Sequence, residues 1–134
     1  GAVLGSWGIA RAALGQDEAA RHSLVQALRI AEELDYPALR AALRIDEFEA
    51  LAHLAPEEAL ARANEAWDVI IRDADAFERA RAQVIRARLR TQQGDPAGAA
   101  EDAEAALALY LTNGVDSLLS REAEAILKAA RPDV

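Results

Sequence analysis

The chain has 134 residues, about one domain's worth, and its 15 Lys+Arg against 23 Asp+Glu give a formal net charge of −8, which removes the positive field that nucleic-acid binding and attraction to anionic membrane depend on. With no Cys and two His there is no disulfide framework, no thiolate chemistry and little to hold a transition metal. Hydrophobic residues make up 52% of the chain but aromatic ones only 4%, and much of the rest is Ala and Leu, the composition of helix packed on helix.

In chain order, residues 2–14 predict a first helix whose one charge is Arg11. The uncharged stretches, residues 1–10 and 105–115, fall well short of the roughly 20 apolar residues that span a bilayer, and residues 1–10 lack the basic lead and small-residue cleavage site of a signal peptide, so a cytoplasmic, membrane-free protein is expected. A second helix over 17–34 follows Gly15, and Asp35, Tyr36 and Pro37 open a third over 37–54. Pro56 and Pro96 stand at first helical positions of helices over 56–72 and 96–113, while Asp75 with Glu78 has the spacing of a capping box for a helix over 75–93. Asn113 and Gly114 stop one helix, and Asp116 and Ser117 start the last, over 117–130. No run alternates apolar and polar residues with β-branched ones, so the expectation is all-α, with about seven helices.

These helices repeat. Positions i, i+4, i+7, i+8 and i+11 lie on one helix face, and they read Ala20, Leu24, Ala27, Leu28, Ala31 in one copy, Ala59, Ala63, Ala66, Trp67, Ile70 in the next and Ala99, Ala103, Ala106, Leu107, Tyr110 in the third, with starts 39 and 40 residues apart. The first and third members are Ala, which lets a neighbouring helix approach closely, and the fourth is large. Helix 37–54 is apolar on two sides, through Ala41, Ile45, Phe48 and Ala52 and through Leu39, Leu43, Ala50 and Leu54; helix 75–93 repeats this with Ala76, Ala80, Val84, Ala87 against Ala82, Ile85, Leu89. Such helices must be sandwiched. The last helix has one apolar face, Leu119, Ala123, Ile126 and Ala130, and leaves Arg121, Glu124 and Lys128 to water, as a terminal cap does.

Residues 4–28 carry Leu4, Trp7, Gly8, Ala20, Leu24, Ala27 and Leu28, similar to the tetratricopeptide pattern of an aromatic or Leu, Leu-Gly, Ala, a bulky residue and Ala-Leu, with Arg11 in place of the usual Tyr. Residues 27–37 and 94–99 resemble the lengthened repeats of bacterial signalling ATPases and transcription regulators of the maltose-activator and antibiotic-regulator kinds. The resemblance implies an αα-superhelix, a solenoid of about three TPR-like pairs over 1–35, 37–72 and 75–113 with a capping helix over 117–130, within one domain of 1–134. Glu47 and Ala87 replace the first-helix Gly in the later copies, and the period exceeds the family's usual length of about 34, so a HEAT-like array stays open as the alternative. The absence of Met, position 1 included, and the bare first helix point to a piece of a longer polypeptide, and Arg-heavy usage with Lys128 as the one Lys points to a bacterial source.

Catalytic and ligand motifs are scarce. Gly5-Ser6-Trp7-Gly8 lacks the spacing of a nucleophile elbow, and Gly94-Asp95-Pro96-Ala97-Gly98 lacks the Lys-Ser/Thr end of a phosphate loop. His22 and His53 have no partner ligand at metal spacing, and the adjacent carboxylates Glu32/Glu33 and Glu57/Glu58 point to different sides of their helices. No enzyme, cofactor or metal site is expected. One polar strip stands out at 100° per residue: Arg40, Arg44, Glu47 and Leu51 between the apolar stripes of one helix, and Arg79, Gln83, Arg86 and Arg90 in the same strip of the next. These arginines suit bidentate capture of carboxylates. The expectation is therefore a scaffolding module that binds an acidic protein or peptide segment through Arg40, Arg44, Arg79, Gln83, Arg86 and Arg90, in a bacterial regulatory or signalling protein. Three alternatives accompany it: the arginines pair with neighbouring helices, the domain senses a small effector for a transcription regulator, or the bare first helix joins copies into a homo-oligomer.

Overall fold

A computed structural model of the chain describes residues 17–132. Among them are six helices and no strand: α1 (Asp17–Leu34), α2 (Pro37–Leu54), α3 (Pro56–Asp73), α4 (Ala76–Gln92), α5 (Pro96–Thr112) and α6 (Leu118–Ala130). The sequence predicts seven; the expected first helix, residues 2–14 with Trp7 and Arg11, lies outside the described residues.

Local chemistry sets the boundaries. Pro37, Pro56 and Pro96 each begin a helix, where the missing N–H would have had no intrahelical acceptor. Asp75 caps α4 by accepting from the Glu78 backbone N–H at 2.8 Å, but the reciprocal half of the expected box is not its role for Glu78, whose carboxylate accepts from Arg81 at 2.7 and 3.2 Å. The reciprocal box forms at α6, between Ser117 and Ser120. Left-handed backbone ends three helices, at Asp35 (φ 53°), Gly94 (φ 80°) and Gly114 (φ 65°). After each glycine the chain folds back onto its helix, with Asp95 N–H donating to Arg90 C=O at 2.8 Å and Val115 N–H to Tyr110 C=O at 2.9 Å, so carbonyls that the helix ends would orphan are satisfied.

The chain divides into two compact units, Gly1–Ala74 and Asp75–Val134. In the first, α2 packs against both α1 and α3, as its two apolar flanks require. Ala41, Leu43, Ile45, Phe48 and Ala50 are buried there, and Leu54 at the helix end is exposed. Burying Phe48 completely contributes about 2–3 kcal/mol. In the second unit α4, α5 and α6 pack on one another around Ala80, Val84, Ala87, Ala99, Ala103, Ala106, Tyr110 and Ala123. A core so rich in Ala stabilises through close helix approach rather than large side chains, and Leu119, Ile126 and Leu127 of α6 close it from the side. The outward Arg121, Glu124 and Lys128 are exposed.

The repeat reappears as burial. Leu24, Ala27 and Leu28, then Ala59, Ala63 and Ile70, then Ala99, Ala103, Ala106 and Tyr110 are buried. Ala66 departs from its counterparts Ala27 and Ala106: it is half-buried and lines a hollow. Among the described residues no helix is long and apolar enough to cross a membrane.

Candidate functional site

The polar strip on α2 and α4 has a different fate in each unit. On α4, Arg86 donates to Asp102 of α5 through Nε and Nη2, both at 2.8 Å, and Arg90 adds a bond from Nη1 at 3.0 Å and another to the Gly98 carbonyl at 3.3 Å. With the Asp102 side chain 7% and that of Arg86 12% exposed, this is a buried fork-on-carboxylate pair. Gly98 makes room for Arg90 and for the Asp95 cap: a Cβ there would strike the Asp95 carboxylate and crowd the Arg90 stem. Arg79 is half-buried and engaged within the chain, and Gln83 keeps its Oε1 buried without a donor among the described residues.

On α2 the same strip is open. Arg40 reaches Asp35 at 3.7 Å, and Arg44 reaches Glu32 at 3.6 Å and Glu47 at 3.9 Å, separations beyond a hydrogen bond. Their side chains are 33% and 37% exposed. Such pairs are worth about 0–1 kcal/mol each.

Both arginines border hollows. One of about 160 Å³ is lined by Arg44, Arg62, Glu65, Ala66 and Val69. Another of about 180 Å³ is lined by Glu32, Arg40, Arg44, Val69, Arg72 and Asp73. Arg44 and Val69 belong to both, so the two adjoin. Arg62 reaches Glu58 at 3.9 Å, as loosely as the α2 arginines reach their partners, whereas Arg72 lies flat on Asp73 through two bonds of 3.0 Å. The hydrogen bond from Arg72 holds the Asp73 carboxyl below the usual carboxylate range, with a smaller favourable contribution from Arg40.

Of the sequence-predicted residues, then, Arg40 and Arg44 come together at open hollows in the first unit. Arg86 and Arg90 come together with Asp102 in the second, in the neighbour-pairing arrangement weighed as the alternative. Arg62 and Arg72 of α3, which also line the hollows, lie outside the strip that the sequence predicts. Arg62 stands one turn before Ala66 of the repeat and lines the same hollow as Arg44, whereas spacing marks nothing at Arg72. His22 and His53 are exposed, and among the described residues no group of His, Asp and Glu is placed to hold a metal. Comparison with protein-family models, curated proteins and solved structures finds no match to this chain.

Proposed function

We propose that the chain is a TPR-like interaction module that captures an acidic segment of a protein partner, with Arg40 and Arg44 of α2 and Arg62 of α3 as its carboxylate-binding residues, in the setting of a bacterial regulatory or signalling protein. The supporting observation is the contrast between the two units: Arg86 and Arg90 already hold a carboxylate of the chain itself, while Arg40, Arg44 and Arg62 meet theirs only at 3.6–3.9 Å beside open hollows. An acidic chain with local arginine hollows selects by local geometry rather than by a long-range field. The hollows, at about 160 and 180 Å³, fall below the roughly 300 Å³ at which drug-sized ligands begin to be enclosed. They suit single carboxylate side chains of a peptide better than a whole effector, so the sensing alternative draws less support.

The test is fluorescence polarisation with a labelled oligo-glutamate peptide against an oligo-lysine control. The reading expects binding of the first alone, weakening with salt, and a loss of at least about tenfold in the Arg40→Ala/Arg44→Ala variant, equivalent to about 1.4 kcal/mol, without a change in melting temperature. Equal binding by variant and parent, or no binding by either, overturns it. Arg86→Ala is not a usable probe, because it breaks the buried pair.

A further inference from the structure

The geometry points to Asn113 as a site of spontaneous covalent modification, in which its side-chain amide is lost through a cyclic imide formed with Gly114, at a rate set by opening of the last turn of α5. The inference is independent of the peptide-binding reading and concerns the second unit.

The chemistry needs only the chain and water. The Gly114 backbone nitrogen attacks Cγ of Asn113; the new N–Cγ bond forms, the Cγ–Nδ2 bond breaks, and the Gly114 amide proton leaves with the side-chain nitrogen as ammonia. Water then adds to one of the two imide carbonyls. Opening on one side gives aspartate, and opening on the other gives isoaspartate, in which the main chain runs through the side-chain carbon. Gly114 favours attack because no side chain shields its nitrogen and its neighbouring torsions are the freest in the chain. Asn64, the other Asn, is followed by Glu65 within α3, where the next amide is tied into the helix ladder. Gln93, which also precedes a Gly, would have to close a larger ring.

In the closed turn the reacting groups are held apart. Asn113 Nδ2 donates to the Leu109 carbonyl at 2.6 Å, and Gly114 N–H donates to the Leu111 carbonyl at 3.2 Å. The Asn113 ψ of 3° turns the next nitrogen away from the side chain, so the turn must open before the ring can close. Opening sacrifices little, because Leu111, Thr112, Asn113 and Gly114 are all exposed, and helix ends of this kind sit at the low end of local stability.

The product is a different cap. An aspartate at this position has no N–H to give Leu109 and adds negative charge where the α5 carbonyls already concentrate it. Isoaspartate lengthens the main chain inside the turn that Val115 N–H closes on Tyr110 C=O. Val115 packs against the Ala-rich core and leads into α6, so modification loosens the docking of the last helix.

The experiment is incubation of the full chain in mildly alkaline buffer at body temperature, followed by tryptic peptide mapping and isoaspartyl methyltransferase labelling. Expected are the amide-to-acid mass gain and methyl acceptance at Asn113, none at Asn64 over the same interval, and conversion roughly tenfold slower in the folded chain than in concentrated urea. Asn113→Gln should abolish the signal, and Asn113→Asp should lower the melting temperature of the second unit. Conversion in urea with none in the folded chain, equal rates in both, or Asn64 reacting first overturns the assignment.

Discussion

Arg86 and Asp102 meet across the α4–α5 seam through two parallel bonds of 2.8 Å, and the repeat puts residues of the opposite sign at the matching positions of the α2–α3 pair. Shifted back by one period, Asp102 becomes Arg62, Arg86 becomes Glu47 and Arg90 becomes Leu51. The second unit thus supplies a carboxylate to its own strip. The first supplies none at that place, and there Arg44 and Arg62 border a hollow instead. The closed seam and the open one thus differ at three matching positions, Asp102 against Arg62, Arg86 against Glu47 and Arg90 against Leu51.

The first prediction concerns that closed seam. Asp102→Ala removes the buried carboxylate that accepts from both Arg86 and Arg90, a change that costs about 3–5 kcal/mol, a large share of the stability of a small domain. Replacing both residues together, Arg86→Met with Asp102→Leu, should recover most of the loss, because desolvation of two charges offsets much of their attraction. Urea denaturation of the two variants and the parent measures this; a single variant within about 0.5 kcal/mol of the parent would show the pair to be solvated.

Much of the fold was legible because the helix boundaries are chemically marked. Pro37, Pro56 and Pro96 begin helices and Gly94 and Gly114 follow them, so the read ends fall within about a residue of the observed ones. Two of the three arginines of the candidate site were legible too: spacing placed Arg40 and Arg44 on one strip of α2. What spacing did not supply is which helix lies opposite each arginine. In the run Glu101, Asp102, Ala103, Glu104 the carboxylates look alike, yet Asp102 is buried and Glu101 and Glu104 are exposed. The distinguishing cue was available: Asp102 stands three residues after buried Ala99 and four before buried Ala106, on the packed stripe rather than beside it.

A second prediction tests how tightly α5 begins. The Asp95 carboxylate accepts from Gly98 N–H at 3.0 Å, and the space that a Cβ on Gly98 would need is filled by that carboxylate and by Arg90. Gly98→Ala should therefore destabilise the second unit by about 1–2 kcal/mol, the usual value of a lost cap, although Ala is ordinarily the better helix former. In an Asp95→Ala background the same change should cost less, since part of the clash has gone. Additive effects in this double-mutant cycle would contradict the crowding seen at the cap.

The third concerns pH. Asp116 accepts from Arg121 Nε and Nη2 at 3.2 Å each, and this hydrogen bonding holds its carboxyl below the usual range. A lowered folded value means that the contribution is present above the unfolded value of about 3.9 and is lost as pH falls through the folded one. Carboxyl chemical shifts should show Asp116 titrating below the ordinary aspartate midpoint, and Arg121→Ala should return it there. Both residues are largely exposed, so global stability should hardly respond; a midpoint unmoved by Arg121→Ala would show the pair to be absent in solution.

At the alkaline end the sign reverses. Tyr110 is buried in the Ala core of the second unit, and burial pushes its phenol above the ordinary tyrosine value, helped by Glu78 and opposed by Arg81. The folded state therefore prefers the neutral phenol, so its contribution is fully present below the unfolded value of about 10 and is lost as pH rises through the folded one. In a Tyr36→Phe variant, which leaves Tyr110 as the chain's one phenol, phenolate absorbance should emerge above the ordinary range and together with loss of helical circular dichroism, because ionisation requires Tyr110 to leave the core. Phenolate appearing near the ordinary value while the helices remain intact would mean that water reaches Tyr110 in the folded unit, and the packing of α5 between α4 and α6 would have to be drawn differently.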